Sequence, residues 1–499
     1  MSQAHYLLKA QQVAAANEDG RPLSISARLG RLQFHHSGKF RVLQLADVQE
    51  GPKVSPDTVR LIAAACDAAR PDLVVFTGNQ IAGYDTAYEK TFRKRRWSTP
   101  LDSVYSAGLS MGRWVGQTIQ GLSSGPKRGE LGDDTGSGAA NGESSESKDS
   151  SQDIQLTADR RREQELQASA EAVRHTIEQI VAPLVERGIP FAVTYGNHDF
   201  QCGLDTDQMD AIYREFPGCL NPEATAAAQP GHPRPLPASG LDRQEGYACE
   251  PGTFALPVAD GEGREPVLSL VLVDSGDYAK QGGYGAPSRR ALDFLGQVPA
   301  QLGRPSMVFQ HMPLPQFYRL LQPVPATTAH AIQGYRSFDA ACFVLDESKT
   351  LPGSFLGEGV SCPDHDSGEF AILKKNGYFA LFAGHDHRNG FVGPVDGVTL
   401  GATPTCGFGS YGPPPAKRAA RLFEFDIRHP YSPRTQLLEF GQIVGRPSSH
   451  KAYTFAMSYM PTSKGEAFDL LRKPGIVAGG LATLVASLAT SLGSRCKKD

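Results

Sequence analysis

Short hydrophobic runs alternate with amphipathic stretches from Phe40 onward, and this alternation predicts a sheet with helices packed against it. Residues 40–45 form a strand-like run that ends at Ala46-Asp47. Ser55 and Pro56 then suit the N-cap and the first position of a helix whose apolar residues recur on one face. Residues 73–76 form the next buried strand. A strand, a helix and a strand at this spacing make a βαβ unit, so the two strands should be parallel.

The same pattern predicts further elements along the chain. An amphipathic helix is predicted over residues 173–184, with a kink at Pro183. Residues 220–246 are rich in Pro and Ala and are predicted to form a long loop. Further strands are predicted at residues 191–194, 268–273, 307–310, 378–382 and 422–425.

These elements predict one α/β domain over residues 37–430, preceded by an arm at residues 1–36 and followed by an extension at residues 431–499. Within the domain, residues 121–160 contain much Gly, Ser, Asp, Glu and Lys and almost no large apolar side chain. Such a segment cannot bury enough surface to offset the entropy lost on ordering. We therefore predict a disordered insertion there.

The C-terminal extension contains an uncharged stretch at residues 475–493 that is mostly Gly, Ala, Ser and Thr. Its length is close to that of a membrane span, but its few strongly apolar residues give only marginal hydrophobicity. Those residues fall on one face of a helix over residues 476–492. The pattern favours an amphipathic helix that docks on protein or peripherally on a membrane.

Composition gives limited information about binding partners, disulfide bonds and cellular compartment. The chain has 499 residues with 50 Lys and Arg against 53 Asp and Glu, a formal net charge of -3 that gives no nucleic-acid signal. Eight scattered cysteines without C-x-x-C spacing indicate reduced thiols, with a disulfide framework as the less favoured alternative. The first residues lack a basic and then apolar run, so the expected compartment is the cytoplasm.

Polar residues immediately follow the predicted strands, where ligand-binding groups of α/β sheets gather. Imidazole, carboxylate and amide oxygens are ligands that divalent metals accept. The strand ends deliver Asp47-Val48-Gln49, Gly78-Asn79-Gln80, Gly196-Asn197-His198-Asp199, Gln310-His311 and Gly384-His385-Asp386-His387. Each of these motifs is weak alone, but five in this order are strong evidence for one particular fold.

This ordered set resembles the calcineurin-like metallophosphoesterase superfamily, whose pattern is D-x-H, G-D, G-N-H-D/E, H and G-H-x-H. The resemblance runs from about Arg41 to Phe425. Residues 272–278, 311–315 and 384–389 look like those of the small purple-acid-phosphatase-like branch. The resemblance implies a four-layer α/β/β/α sandwich in which a metal-activated hydroxide hydrolyses a phosphomonoester or a phosphodiester.

The resemblance also implies a role for each matching residue. The implied metal ligands are Asp47, Gln49, Asn79, Asn197, His311, His385 and His387. They would hold one or two divalent ions, with Mn, Fe or Zn as the expected metals, and position 79 would bridge a pair. His198 would lie near the leaving group as an acid or charge stabiliser, and Asp199 would orient it through a hydrogen bond.

Two ligand positions depart from the family pattern. Gln49 stands where the family has His, and Asn79 stands where it has the bridging Asp. An amide oxygen can bind a metal, but the charge is lost and Asp47 remains as the only carboxylate in the ligand set. The sequence therefore favours one tightly held ion, or a weakly held pair, over a normal dinuclear centre.

Two functions stay open on this evidence. The first is a hydrolase that acts on a phosphorylated substrate. The second is a catalytically weak or inactive relative that binds metal or phosphate ligands, which Gln49 and Asn79 keep open. Among other polar residues, Asp274 and Asp277 either cap a turn or support the site, and the neighbours His35 and His36 are predicted to lie on the surface.

Overall fold

The computed structural model describes residues 21–95, 147–224, 232–236, 239–449 and residue 458. The α-helices are α1 (Ile25–Leu29), α2 (Pro56–Ala69), α3 (Ser147–Arg187), α4 (Thr206–Tyr213), α5 (Arg289–Leu302), α6 (Glu369–Lys375) and α7 (Phe440–Ile443). The strands are β1 (Lys39–Leu45), β2 (Leu73–Thr77), β3 (Phe191–Thr194), β4 (Pro233–Pro235), β5 (Glu245–Glu250), β6 (Thr253–Ala259), β7 (Pro266–Val273), β8 (Ser306–Gln310), β9 (Leu321–Val324), β10 (Ile332–Gln333), β11 (Cys342–Leu345), β12 (Tyr378–Ala383), β13 (Val392–Val395), β14 (Val398–Ala402), β15 (Ala419–Asp426) and β16 (Arg434–Glu439).

The first sheet has the strand order β16-β15-β1-β2-β3. Strands β1, β2 and β3 are parallel, with Val42 opposite Leu73 and Val74 opposite Phe191, whereas β15 and β16 run antiparallel to their neighbours. All five residues of β2 are buried, as expected of a strand covered on both faces. The predicted βαβ unit is therefore confirmed.

The second sheet has the order β13-β14-β12-β8-β7-β6-β5-β4, and a small third sheet contains β10, β11 and β9. In the second sheet, the central strands β7, β8, β12 and β14 are parallel. Antiparallel strands lie at its two edges, with β4 to β6 on one side and β13 on the other. Three strands predicted from hydrophobic runs correspond to β7, β8 and β12. The described part of the predicted loop at residues 220–246 instead contains β4 and the start of β5.

Three hydrophobic cores separate four layers. The middle core joins the two sheets, with Phe40 and Val42 of β1 on one side and Leu270 and Phe309 on the other. One outer core packs α2, α3 and α4 on the first sheet, and the second packs α5 and α6 on the second sheet. This order of helix, sheet, sheet and helix confirms the predicted α/β/β/α sandwich.

Helix α2 begins as the sequence predicts. The Ser55 side chain accepts a hydrogen bond from the backbone N–H of Asp57 at 3.3 Å, and Pro56 is the first helical residue. Of the four apolar residues predicted to share one face, Ile62 and Cys66 are buried, whereas Val59 and Ala63 are half-buried. The helix therefore connects β1 to β2 and brings the ends of both strands to the same edge of the sheet.

Helix α3 differs from the prediction at its start. It begins at Ser147, so residues 147–160 are helical where the composition predicted disorder, and residues 121–146 lie outside the described residues. Residues 158–164 are exposed and are rich in Arg, Glu and Gln, which form helices readily without burial. Arg161 and Glu165 form an ion pair at 3.2 Å one turn apart. A low apolar content therefore did not exclude a helix that faces water.

The packed domain extends beyond both predicted boundaries. Leu32 and Phe34 lie in the middle core, although they fall in the segment predicted to be an arm. Strand β16 and helix α7 pack beyond residue 430. His35 is buried with its Nε2 2.8 Å from Asp72 Oδ1, so the surface prediction was wrong for His35, whereas His36 is exposed. The burial depends on an acid distant in sequence.

No helix in the described part of the chain is long and apolar enough to cross a membrane. The amphipathic helix predicted over residues 476–492 lies outside the described residues. The cysteines that the structure describes are free thiols, and all but Cys342 are buried.

Candidate metal centre

The polar residues that follow the parallel strands meet at one edge of the two sheets. Asp47 follows β1 and Asn79 follows β2, and Asn79 Nδ2 donates to Asp47 Oδ1 at 3.2 Å. His385 follows β12 of the second sheet and donates its backbone N–H to Asp47 Oδ2 at 2.7 Å. Side-chain contacts of 4.0 Å or less connect Asp47, Asn79, Asn197, His311, His385 and His387 into one cluster. Six of the seven predicted ligand positions are thus together.

The backbone is left-handed at four of the predicted ligand positions. The φ angles are 50° at Asp47, 47° at Gln49, 54° at Asn79 and 70° at His385. Non-glycine residues are uncommon in this region, and such conformations collect at functional sites. Turning the chain sharply after each strand lets the side chains converge instead of following the direction of the sheet.

Three potential ligand atoms, one each from Asn197, His311 and His385, are spaced like the ligands of one cation. The His311 Nδ1–H donates to the carbonyl of Thr77 at 2.9 Å, and since that oxygen can only accept, His311 Nε2 carries a lone pair. Nε2 lies 3.1 Å from Asn197 Oδ1 and 3.1 Å from His385 Nδ1. Ligands bound at about 2.1 Å in an octahedron stand about 3.0 Å apart, which agrees with these distances.

The contact between Asn197 and His311 brings two acceptors together. Asn197 Nδ2 donates to the hydroxyl of Tyr278 at 2.8 Å, and Oδ1 accepts from Asn79 Nδ2 at 3.3 Å. Asn197 Oδ1 and His311 Nε2 therefore face each other without a proton between them. A cation would convert this repulsion into attraction. Burial lowers the pKa of His311, which disfavours a proton in its place.

A second donor set involves Asp47, His387 and Gln49. The His387 Nδ1–H donates to the carbonyl of Tyr411 at 2.7 Å, and the two rings stack at 4.1 Å. His387 Nε2 therefore faces Asp47 Oδ1 at 3.3 Å. The Gln49 Oε1 is buried and has no hydrogen-bond partner among the described residues. Such an atom is available to a metal, but nothing brings it into direct contact with the other two side chains.

The Asn79 side chain presents its NH2 group, not its oxygen, to the cluster. Its Oδ1 accepts from the backbone N–H of His198 at 2.8 Å. Its Nδ2 donates to Asp47 Oδ1 and Asn197 Oδ1. A backbone N–H can only donate and an ionised carboxylate can only accept, so both ends of the amide are fixed. The predicted bridging oxygen is therefore replaced by a donor of partial positive charge.

His198 is oriented by Gln201 instead of by Asp199. The His198 Nδ1 lies 2.8 Å from Gln201 Oε1, and the ring packs edge-on against Tyr84 at a centroid distance of 5.1 Å. Asp199 accepts from the backbone N–H groups of Asn79, at 2.7 Å, and of Gly196 and Ile81. Asp199 therefore does not orient His198 as predicted. Its carboxylate instead connects the loops that follow β2 and β3.

The charges in the cluster suit metal binding only in part. Burial raises the pKa of Asp47, but nearby His311 and His387 outweigh burial and lower it to about 2. Burial lowers the pKa of His385 well below that of free imidazole. An ionised carboxylate and neutral imidazoles are the forms that bind metals. Burial raises the pKa of Asp199 to about 7 against the backbone N–H bonds that it accepts.

The residues fit one cation better than two. Among the described residues, no three His, Cys, Asp or Glu side chains form a group able to hold a metal ion. Three of the seven predicted ligand positions are amides, which such a group does not include. His385 Nε2, like Gln49 Oε1, is buried without a partner in the described chain. Asn197 and the two histidines His311 and His385 can still present ligand atoms to a cation. Asn79, at the position that would bridge two cations, presents its NH2 group instead and cannot.

Sequence patterns did not reveal the residues that support the cluster. Gln201, Tyr278 and Tyr411 act through single contacts to predicted ligands or to His198. Gln201 lies three residues after His198, and a helical turn brings residues at that spacing together. This spacing was the local sequence pattern from which the contact between the two side chains could have been predicted. Asp274 Oδ1 accepts from the backbone N–H of Gly276 at 3.1 Å, so it caps a turn.

Comparisons with known proteins agree with the motifs. No protein-family model matches the chain. The protein named "Probable inactive purple acid phosphatase 14" of Arabidopsis thaliana is 23% identical over 277 residues, covering 51% of this chain and 59% of its own length. Phosphatase DCR2 of Saccharomyces cerevisiae is 22% identical over 402 residues, covering 74% of this chain and 47% of its own length. The chain thus spans about half the length of these relatives.

Among solved structures, a dimetal phosphatase from Danio rerio aligns over 80% of this chain and 99% of its own, with 10% identity and a TM-score of 0.33. That overlap is too weak to support an argument. The ordered motifs, the four-layer fold and the sequence matches support a relationship to the calcineurin-like metallophosphoesterases. The matched sequences carry the names of probable inactive purple acid phosphatases and of a yeast phosphatase.

Proposed function

We propose that this chain is a phosphoester hydrolase that uses a single divalent cation, held by Asn197, His311 and His385. The observation that carries the proposal is the 3.1 Å contact between two acceptors, Asn197 Oδ1 and His311 Nε2. That contact is electrostatically repulsive, and a cation that contacts both atoms would make it attractive. Mn, Fe and Zn are the metals proposed, since imidazole and amide oxygen together suit borderline cations.

The bound cation would supply Lewis-acid polarisation of the phosphoryl oxygens and an activated water. His198 would lie beside the leaving group, as the family resemblance implies. Its Nδ1–H donates to Gln201 Oε1, and burial lowers the pKa of the ring to about 4, so at neutral pH Nε2 carries a lone pair. Nε2 would therefore accept a proton from a bound water and pass it to the leaving-group oxygen. Tyr84 packs against the same ring and is 40% exposed, so it would contact the organic part of a substrate.

The test combines elemental analysis with an activity screen on the full chain. Purified protein, loaded separately with Mn, Fe and Zn and dialysed against a weak chelator, should retain about one metal per chain. His385→Ala should lose that metal, whereas the exposed variant His36→Ala should keep it. The metal-loaded chain should hydrolyse phosphomonoester or phosphodiester substrates. Retention of no metal in any of the three loadings would exclude the proposal.

A second function is favoured by the direction of the Asn79 amide. Its NH2 group donates to Asp47 Oδ1 at 3.2 Å and to Asn197 Oδ1 at 3.3 Å. Such a cluster suits a protein that binds a phosphate ligand without turnover. Calorimetric titration with inorganic phosphate separates the two functions, because the binder shows saturable phosphate binding while every substrate in the screen remains intact.

The identity of the phosphorylated substrate, a cytoplasmic location and a docking role for residues 476–492 remain proposals from the sequence. Fractionation of cells that express the full chain, beside a variant truncated before residue 476, tests the last two. A membrane-bound or partner-bound fraction that disappears on truncation would support docking through this segment.

A further inference from the structure

The loop after β7 forms a tight hairpin that carries two tyrosines to the candidate metal centre. Tyr278 and Tyr284 pair with each other in an antiparallel bridge. Between them, the backbone N–H of Ala279 donates to the carbonyl of Gly283 at 3.0 Å, and Gly282 and Gly283 take positive φ angles of 100° and 77°. The two tyrosine rings stack with their centroids 5.7 Å apart. The hairpin therefore holds both rings side by side.

Each tyrosine of the hairpin contacts a different proposed ligand of the cation. The hydroxyl of Tyr278 accepts a hydrogen bond from Asn197 Nδ2 at 2.8 Å. The ring of Tyr284 packs nearly perpendicular to the imidazole of His385, with the ring centroids 4.3 Å apart, and it also stacks on Tyr335 at 5.5 Å. Asn197 follows a strand of the first sheet and His385 follows a strand of the second sheet. One hairpin thus contacts ligands from both sheets.

The Asn197 amide needs an acceptor for its NH2 group once its oxygen binds a cation. Asn197 is only 2% exposed, and its Oδ1 faces His311 Nε2 at 3.1 Å. A cation bound to Oδ1 directs the NH2 group away from the cluster, toward the Tyr278 hydroxyl that accepts from it. A buried N–H without an acceptor destabilises the state that contains it. The hydroxyl therefore stabilises the cation-bound state through Asn197.

Removal of this hydroxyl affects the cation-bound and metal-free states unequally. In Tyr278→Phe without metal, the Asn197 amide can turn round and donate Nδ2 to the lone pair of His311 Nε2. With a cation on Oδ1, the amide cannot turn, and its NH2 group faces the phenyl ring without an acceptor. Loss of the hydroxyl therefore costs more in the bound state than in the free state, and cation affinity falls.

We propose that Tyr278 and Tyr284 are positioning residues that set the cation affinity of the candidate metal centre, Tyr278 through Asn197 and Tyr284 through His385. The inference rests on the proposed function, because it concerns the same cation. The His385 ring presents Nδ1 to His311 at 3.1 Å, and rotation about its Cβ–Cγ bond would put a carbon atom there instead. The perpendicular ring of Tyr284 opposes that rotation by packing against the imidazole.

The test measures metal affinity and metal-free stability in the full chain. Affinity for Mn and Zn is obtained by competition with a chromophoric chelator, and the melting temperature is recorded in excess chelator. Tyr278→Phe should weaken metal binding at least about tenfold, while its metal-free melting temperature stays within about 3 °C of the natural value. Tyr431→Phe is the matched control, because it removes a hydroxyl that donates to the carbonyl of Val267 at 3.2 Å, and it should keep the natural affinity.

Two further comparisons separate positioning from a general loss of packing. Asn197→Asp has no NH2 group, so adding Tyr278→Phe to it should change metal affinity by less than about threefold. A packing defect at position 278 would instead weaken binding equally in both backgrounds. Tyr284→Leu should weaken binding at least about tenfold, whereas Tyr284→Phe, which keeps the ring beside His385, should bind within about threefold of the natural chain.

The assignment of Tyr278 is overturned if the natural chain binds metal and Tyr278→Phe binds it as tightly, or if the loss persists in the Asn197→Asp background. The assignment of Tyr284 is overturned if Tyr284→Leu binds metal as tightly as the natural chain. These results leave the proposed function intact. A natural chain that binds no metal overturns the proposed function and this inference together, so the two failures are distinguishable.

Discussion

Asn79→Asp replaces an N–H donor with a carboxylate oxygen at the point nearest to both donor sets. In the natural chain, Asn79 Nδ2 lies 3.2 Å from Asp47 Oδ1 and 3.3 Å from Asn197 Oδ1. A carboxylate in the same position keeps the hydrogen bond from the His198 backbone N–H through one oxygen and turns the other toward Asp47. The substitution therefore places two negative charges in contact unless a cation lies between them.

The distance sets the size of the effect. Two unit charges at 3.2 Å repel by about 5 kcal/mol at an effective dielectric constant of about 20. Uptake of a proton by the pair reduces this cost, so the metal-free Asn79→Asp chain should be less stable by about 2 to 4 kcal/mol. A dication bound between the carboxylates relieves the repulsion. Metal affinity should then rise at least 100-fold, or about 3 kcal/mol.

The assay compares the natural chain, Asn79→Asp and the double variant with Gln49→His. Denaturant unfolding in chelator measures the metal-free stability, and elemental analysis after dialysis against a weak chelator measures metal content. The double variant should approach about two metals per chain, and Asn79→Asp alone should give part of that gain. Phosphoesterase activity with Mn, Zn and Fe should rise in the same order if the rest of the site is intact.

Gln322→Glu serves as the matched control, because it adds the same charge at an exposed position of β9. It should change neither metal content nor stability by more than about 0.5 kcal/mol. The charge argument fails if the natural chain already holds two metals as firmly as the double variant. It also fails if Asn79→Asp in chelator is as stable as the natural chain, since the amide would then not be donating to Asp47.

Three further predictions follow from the structure. His198→Ala should lower turnover at least about 100-fold with unchanged metal content in elemental analysis, and an unchanged rate would exclude it from the reaction. Deletion of residues 121–146 should shift the calorimetric melting temperature by no more than about 2 °C, because that segment lacks the apolar groups of a core; a larger loss would mean that it packs on the domain. Burial raises the pKa of the Glu369 carboxyl from its ordinary value of 4.5 to about 8, so the folded state binds the proton more tightly and stability should fall as the pH rises between these values. Glu369→Gln should reduce that fall by about 2 to 3 kcal/mol between pH 6 and 8 in denaturant titrations, and parallel profiles would refute this assignment.

The position of the site could be predicted because it depends on short-range rules. Hydrophobic runs locate the strands, and parallel strands in one sheet end at the same edge. The register that places Val42 beside Leu73 then brings Asp47 and Asn79 together, although they are far apart in sequence. Each step needs only local patterns and the geometry of the βαβ unit, so the sequence contained enough information.

The partners of individual side chains could not be predicted in the same way. The family resemblance implied a hydrogen bond between Asp199 and His198, but the short helical turn at Asp199–Cys202 brings Gln201 back to the ring instead. Likewise, His35 is buried because Asp72 reaches it across the packed domain. Such contacts depend on the direction of a side chain after the fold has formed, which residue type and spacing do not specify.

Asn79 and Asn197 show why the number of metals lay beyond the sequence. Both are asparagines at the ends of parallel strands, and either could offer an oxygen to a cation. In Asn197 the Nδ2 is taken by the hydroxyl of Tyr278, which leaves Oδ1 facing His311. In Asn79 the Oδ1 is taken by the backbone N–H of His198, which leaves the NH2 group facing the cluster. One residue type therefore presents an acceptor to the cluster at one position and a donor at the other, and the partner on the far side of each amide decides which.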